Sequence, residues 1–289
     1  MQTFTTAAEL TGLLSAARRR GQRIGFVPTM GALHRGHATL VRRSVEEQDL
    51  TVVSIFVNPT QFTEGADLTA YPRTPEADIA LLEASGCHFL YMPGVEDVYP
   101  AGTAERLTDR LEFGSLTTRM EGIQRPGHFG GVAQVVHRLL EIVDPHVLYL
   151  GQKDYQQVAV IRRMIELIGS RVVVSTVPTV REPDGLALSS RNRLLQPEER
   201  RAAGAINGQL AAVVAGLQVG WPARELERIA TATMHQLPLL NPEYVEVFDG
   251  DTLLPYQDGD PVRELVVATA VRVGRVRLID NRIVPPAQP

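Results

Sequence analysis

The sequence predicts an α/β protein: a doubly wound, mostly parallel sheet followed by a smaller α+β domain. Two observations predict it. Through about residue 180, short apolar runs alternate with stretches whose apolar residues recur at helical spacing. Strands separated by helices of that length imply parallel crossover connections. Beyond that point the alternation stops; two long helical stretches adjoin, and short strand-like runs follow.

In chain order, residues 23–28 (RIGFVP) read as a buried strand and residues 37–48 as a helix. Residues 50–57 (LTVVSIFV) form a second strand, rich in β-branched side chains. A helix over 75–85 opens on Pro75, a favoured first-turn residue. Residues 87–92 read as a strand. Over 131–143, Val132, Val135, Val136, Leu139, Leu140 and Val143 share one helical stripe. A strand over 146–150, a helix over 154–168 and a strand over 171–177 complete the pattern. The domains are expected at 1–179 and 180–289, the second with helices over 198–217 and 223–237 and strands over 243–248, 265–273 and 275–279. No internal repeat or low-complexity segment occurs.

Composition narrows the function. Apolar residues at 44% and charged residues at 21% are ordinary globular values. A net charge of −4 gives no basic footprint for nucleic acid. The longest basic run, Arg18 to Arg20, precedes Gly21 and reads as the close of the first helix, where cations suit the dipole. The single cysteine, Cys87, allows no internal disulfide and sits in an apolar run. With no secretory pattern and no apolar run of about 18 residues, a cytoplasmic location is expected.

In doubly wound sheets, ligands bind beyond the carboxyl ends of the strands. The loops to search are therefore TMGALHRGH, NPTQF, GQKD and PTVREPDGLALSSR. The first places Gly31 and Gly36 where a strand gives way to a helix, so a polyanion can approach backbone N–H groups. His34 and His37 bracket that point. Phosphate contact is the preferred reading; a helix-capping role is the alternative, and zinc would need a third ligand. Neither usual phosphate loop, G-x-x-x-x-G-K-[ST] or G-x-G-x-x-G, is present. Lys153, in GQKD, is the only lysine among 29 basic residues. A compact ammonium on a flexible stem can follow a phosphate as its geometry changes, whereas guanidinium prefers a fixed bidentate partner. A structural pair with Asp154 is the alternative.

H-x-G-H between a first strand and a first helix resembles the nucleotidyl-transferase and class I aminoacyl-tRNA synthetase superfamily, whose Rossmann-like domain also carries a late KMSKS-like loop. LALSSRN, residues 186–192, has the matching place and character. Ser189 and Ser190 offer hydroxyls and Arg191 a fixed cation. PTMGALHRGH, VVSIFVNPTQF, YPRTPEAD, RPGHFGGV, GQKDYQQV and PTVREPDGLALSSRN then occur in that order. Together they resemble the pantoate–β-alanine ligases (pantothenate synthetases), strongly over residues 24–195. One departure is Leu188, where the family usually has Met; the two have similar volume, so packing should survive.

The resemblance implies condensation of pantoate with β-alanine, driven by ATP, through a pantoyl adenylate. It implies an ATP site made of Met30, Gly31, Ala32, Leu33, His34, Arg35, Gly36, His37, Gly151, Gln152, Lys153, Asp154, Val180, Leu188, Ser189, Ser190 and Arg191. His37 would be the proton donor, with His34 and Lys153 beside the phosphates. Gln61 and Gln157 would hold pantoate, a substrate whose two hydroxyls need neutral hydrogen-bonding partners; Asn58 would share that pocket, with Met30 and Phe62 as apolar wall. Mg²⁺ is expected with ATP, and Asp78 is the protein ligand named for it; a surface acid on a helix is the alternative. His128 is a candidate for the second-substrate side. The resemblance also implies a homodimer, and a second domain that closes as a lid over a hydrolysable intermediate.

Three rivals remain in view. A nucleotidylyltransferase acting on a phosphorylated acceptor would want a basic pocket, and Gln61 and Gln157 are neutral. A tRNA-binding module would want a basic tract, which the chain lacks. A non-catalytic nucleotide sensor would want degraded motifs, and the histidines, the lysine and the Ser-Ser-Arg loop are all present.

Overall fold

The computed structural model describes residues 1–62, 68–69, 71–100 and 110–286. The chain divides into two compact units: Met1–Gly151 with Val160–Pro178, and Gln152–Ala159 with Thr179–Pro289.

The first unit holds β1 (Gln2–Phe4), α1 (Ala7–Arg19), β2 (Ile24–Thr29), α2 (Arg35–Glu47), β3 (Leu50–Ile55), α3 (Pro75–Ala84), β4 (Phe89–Tyr91), α4 (His128–Val143), β5 (Val147–Gly151) and β6 (Val173–Val177). Helix α5 (Tyr155–Leu167) begins in the segment assigned to the second unit and ends in the first. The six strands form one sheet, ordered β1-β4-β3-β2-β5-β6, and every pair is parallel. Central strands covered on both faces need unbroken apolar runs; Val27, Val53, Leu90 and Tyr149 accordingly sit in one core with Leu40, Val41 and Leu82 from the helices.

β1 was not legible in advance. Three residues carry too little periodicity, and the strand exists because Gln2, Thr3 and Phe4 pair with Phe89, Leu90 and Tyr91. The basic run at the end of α1 does more than suit a dipole: Arg18 donates to the carbonyls of Val143 and Asp144 at the end of α4.

The second unit adds α6 (Pro197–Ala203), α7 (Ala205–Gln218), α8 (Ala223–Gln236), β7 (Leu240–Asp249), β8 (Leu265–Val273) and β9 (Val276–Val284). The strands form an antiparallel sheet, ordered β7-β8-β9. Leu210, Val213, Leu226 and Met234 pack with Val247, Val267 and Val271 in its core. The single helix expected over 198–217 is two. The break falls at Gly204, where a Cβ would lie 2.8 Å from the Asp184 carboxylate, which Arg200 of α6 also engages. β9 outruns its expected five residues because it pairs with β8 from Val276 through to Val284.

Candidate active site

β2 ends at Thr29, and the chain must turn sharply before α2 can start. Gly31 and Ala32 make that turn with φ of 84° and 50°. Glycine adopts the left-handed region freely; alanine does so only when the surroundings hold it there. Asp78, in the first turn of α3, is what holds it. Its carboxylate accepts from the N–H of Ala32 at 2.9 Å and of Leu33 at 2.7 Å, and from the Thr74 hydroxyl at 3.0 Å.

This corrects the role expected of Asp78. Both oxygens are engaged, and the residue is only 2% exposed. A magnesium ligand needs an accessible oxygen and room for the waters that Mg²⁺ keeps. Asp78 does not fit; it is a loop anchor. Among the described residues no group of three His, Cys, Asp or Glu side chains could hold a metal, so zinc at His34 and His37 finds no third ligand there.

Those histidines form a reciprocal cap. Nδ1 of His34, the N-cap residue of α2, accepts from Gly36 N–H at 3.1 Å; Nδ1 of His37 accepts from His34 N–H at 3.3 Å. The capping and phosphate readings are thus not exclusive. A neutral imidazole that accepts on Nδ1 carries its proton on Nε2. The cap therefore sets both tautomers with Nε2–H as donor, and holds the two rings 4.1 Å apart at 34°. Their protonated nitrogens and the helix N-terminus make a set of donors suited to an anion.

Beyond β3, Asn58 organises a second cluster. Its amide donates to Gln61 Oε1 at 3.2 Å and to the Gly131 carbonyl at 3.1 Å; its oxygen accepts from Thr60 and from the Tyr99 hydroxyl. Asn58 is 0% exposed, and its place beside the expected substrate pocket is behind Gln61, which it holds. Gln61 also donates to Met30 Sδ, so Met30 and Gln61, both expected at the substrate, are brought together. His128 Nδ1 lies 2.8 Å from the Gln61 carbonyl and Nε2 lies 3.1 Å from the Arg125 guanidinium. Arginine can only donate, so Nε2 accepts and Nδ1–H donates to Gln61. His128 is buried and supports Gln61.

In the second unit, Gln152, Lys153 and Asp154 form a 3-10 turn directly after β5. Lys153 Nζ lies 3.3 Å from Asp154, and its side chain is largely covered while that of Asp154 is half exposed. Gln157 is half-buried in the first turn of α5. The Val180–Arg191 loop closes on itself: Leu188 N–H donates to the Val180 carbonyl at 2.9 Å, and Arg181 bridges Ala187. Leu188 is buried, whereas Ser189, Ser190 and Arg191 are partly open, with Ser189 capping the turn through Arg191 N–H.

Sequence reasoning missed three residues here. Asn281 donates to the carbonyls of Gln152 and Lys153, and Arg181 pairs with Asp280. These contacts join positions 99 to 129 residues apart. No local motif announces them; a polar pair directly after the apolar Leu278 and Ile279 was the only available signal.

The pantoate-beta-alanine ligase family model matches residues 2–283. The chain belongs to this family. A pantothenate synthetase of Porphyromonas gingivalis is 46% identical over 284 residues, covering 97% of this chain and 98% of the relative. One from Rhizobium etli is also 46% identical, over 286 residues, with 98% and 94% covered. The crystal structure of pantothenate synthetase from Thermus thermophilus matches with a TM-score of 0.91 at 45% identity, covering 99% of this chain and 100% of that one. A Francisella tularensis pantoate-beta-alanine ligase, solved in complex with beta-gamma ATP and beta-alanine, matches with a TM-score of 0.78 at 32% identity over 98% of this chain and 97% of that one.

Proposed function

We propose that this protein condenses pantoate with β-alanine, using ATP, to give pantothenate, AMP and pyrophosphate. The observation that carries this reading is family membership over residues 2–283. The local geometry supports the chemistry. A pantoate carboxylate oxygen attacks the α-phosphorus of ATP, and the bond to the β-phosphate breaks to release pyrophosphate. The β-alanine amine then attacks the acyl carbon of the adenylate, loses a proton, and expels AMP.

The first step needs no general base, because the carboxylate is already ionised at neutral pH. It needs alignment and donors for the charge that builds on phosphate oxygens. We assign that work to Nε2–H of His34 and His37, to backbone N–H groups at the start of α2, and to Lys153, Ser189, Ser190 and Arg191. Of the pair, His37 is assigned as proton donor to the departing pyrophosphate. Gln61 and Gln157 are assigned to pantoate. The Gln61 amide is held by Asn58 and Met30; a site built to hydrogen-bond substrate hydroxyls rejects analogues lacking them by about 10⁴-fold or more.

Magnesium enters in this reading with the ATP phosphates and waters rather than through Asp78. A single buried cysteine suits a reducing compartment, and among the described residues no helix is long and apolar enough to cross a membrane; we place the enzyme in the cytoplasm. A homodimer is proposed on the resemblance, and sedimentation tests it.

The deciding experiment is exchange of labelled pyrophosphate into ATP. Exchange should require pantoate and not β-alanine; adding β-alanine should then yield AMP and pantothenate in equal amounts. Exchange driven by a phosphorylated acceptor instead would overturn the substrate assignment.

A further inference from the structure

Asn281 and Asp280, adjacent on β9, sit behind the two segments of the second unit that the proposed chemistry uses. Asn281 is 2% exposed and Asp280 is 4%. Buried amides and carboxylates persist only with their hydrogen bonds made, and both are well supplied. The Asn281 amide donates to the Gln152 carbonyl at 3.0 Å and the Lys153 carbonyl at 2.8 Å; its oxygen accepts from Gln152 Nε2 at 3.1 Å. A flipped amide would set an oxygen against two carbonyls, so the network itself assigns the orientation.

Asp280 completes the arrangement. Its carboxylate takes the Arg181 guanidinium at 2.6 and 2.9 Å, and also accepts from Asn281 N–H at 2.7 Å. Arg181 in turn donates to the carbonyls of Gly185 and Asn281. One dipeptide therefore grips the Gln152–Lys153 turn with one side chain and the Val180–Leu188 loop with the other.

We propose that Asn281 is a positioning residue for adenylylation: it fixes the Gln152–Lys153 turn so that the ammonium is aimed before ATP arrives, while Asp280 fixes the neighbouring loop through Arg181. This rests on the phosphate role proposed above for Lys153. A lysine side chain has four rotatable bonds, so its aim depends on a fixed backbone root. No other side chain type offers two donors and one acceptor in so short a reach except glutamine, which is one methylene longer.

Lys153 is the only lysine, which makes the test site-specific. Reductive ¹³C-methylation labels Lys153 and the chain's N-terminal amine, and the Lys153 signal is the one that vanishes in Lys153→Arg. In Asn281→Ala that signal should shift and narrow toward a freely rotating methyl, and its response to ATP should weaken. Pantoate-dependent exchange should fall about 10²-fold, the scale of a catalytic group displaced by about 1 Å. Adding Asn281→Ala to Lys153→Ala should cost less than about twofold further, since residues acting through one another are not additive. If the alanine variant does not fold, Asn281→Asp keeps the volume while turning donors into acceptors, and the same signals are read.

An unmoved Lys153 signal, or an equal fold-loss with and without Lys153, would overturn the proposal. Full exchange activity in Lys153→Ala would instead overturn the phosphate role of the lysine; the methyl signal, which needs no turnover, would still report whether Asn281 fixes the turn.

Discussion

Removing the Asp78 carboxylate would take the Asp78 acceptor away from the buried Ala32 and Leu33 N–H groups, at about 1–3 kcal/mol for each such loss. Asp78→Ala is therefore expected to lower stability in urea unfolding and to raise KM for ATP, because the turn into α2 relaxes. The magnesium concentration for half-maximal rate should stay put; a shift of about tenfold or more would restore Asp78 as a metal ligand. At Cys87, burial pushes the thiol up to about 12. A thiol so protonated is a poor nucleophile, so Ellman's reagent at about pH 8, below the ordinary thiol value, should react only after denaturant is added. Prompt labelling of the native protein would contradict that burial.

Helix α4 carries a prediction at the scale of elements. Its start is pressed against the Pro59–Gln61 turn so closely that a Cβ on Gly131 would lie 2.3 Å from the Thr60 carbonyl oxygen, whereas one on neighbouring Gly130 would meet nothing within 4 Å. Gly131→Ala must push the turn away and take Gln61 with it, so KM for pantoate should rise more than KM for ATP. Gly130→Ala should be neutral or stabilising by up to about 1 kcal/mol. Equal effects from the two substitutions would mean that the contact does not set Gln61. The spacing of apolar residues announced α4 itself. It could not announce this contact, which depends on where a separate turn lands.

Across the whole molecule, pH tests the buried and paired groups together. Burial lowers the His88 pKa from its ordinary 6.5, and Nδ1 accepts from Thr51 N–H at 3.1 Å. The folded state therefore prefers the neutral ring. Its contribution is present in full above about 6.5 and is lost as pH falls through the lowered value. Asp184 acts further down: the hydrogen bond from Arg200, the largest cause, holds its carboxyl below the usual range. Its contribution is present above the unfolded carboxylate value and is lost as pH falls through the depressed one. Urea midpoints should thus decline in two stages on acidification, and His88→Gln should flatten the upper one. An unchanged upper stage in that variant would assign it to another group.

What the sequence by itself determined is local and periodic. Alternating runs announced the parallel sheet, helix spacing announced the covering helices, and ordered motifs placed His34, His37, Gln61 and Lys153 shortly after strand ends. Those features were legible because apolar periodicity and turn chemistry act over a few residues. Only the tertiary structure decided what each polar side chain does. It made Asp78 the anchor of Ala32 and Asn58 the support of Gln61. It set the histidine tautomers through a cap, and it brought Asn281 to Lys153 across 128 residues. The physical reason is shared: a polar group withdrawn from water must find its partner wherever folding delivers one, and that partner is fixed by packing, not by distance along the chain.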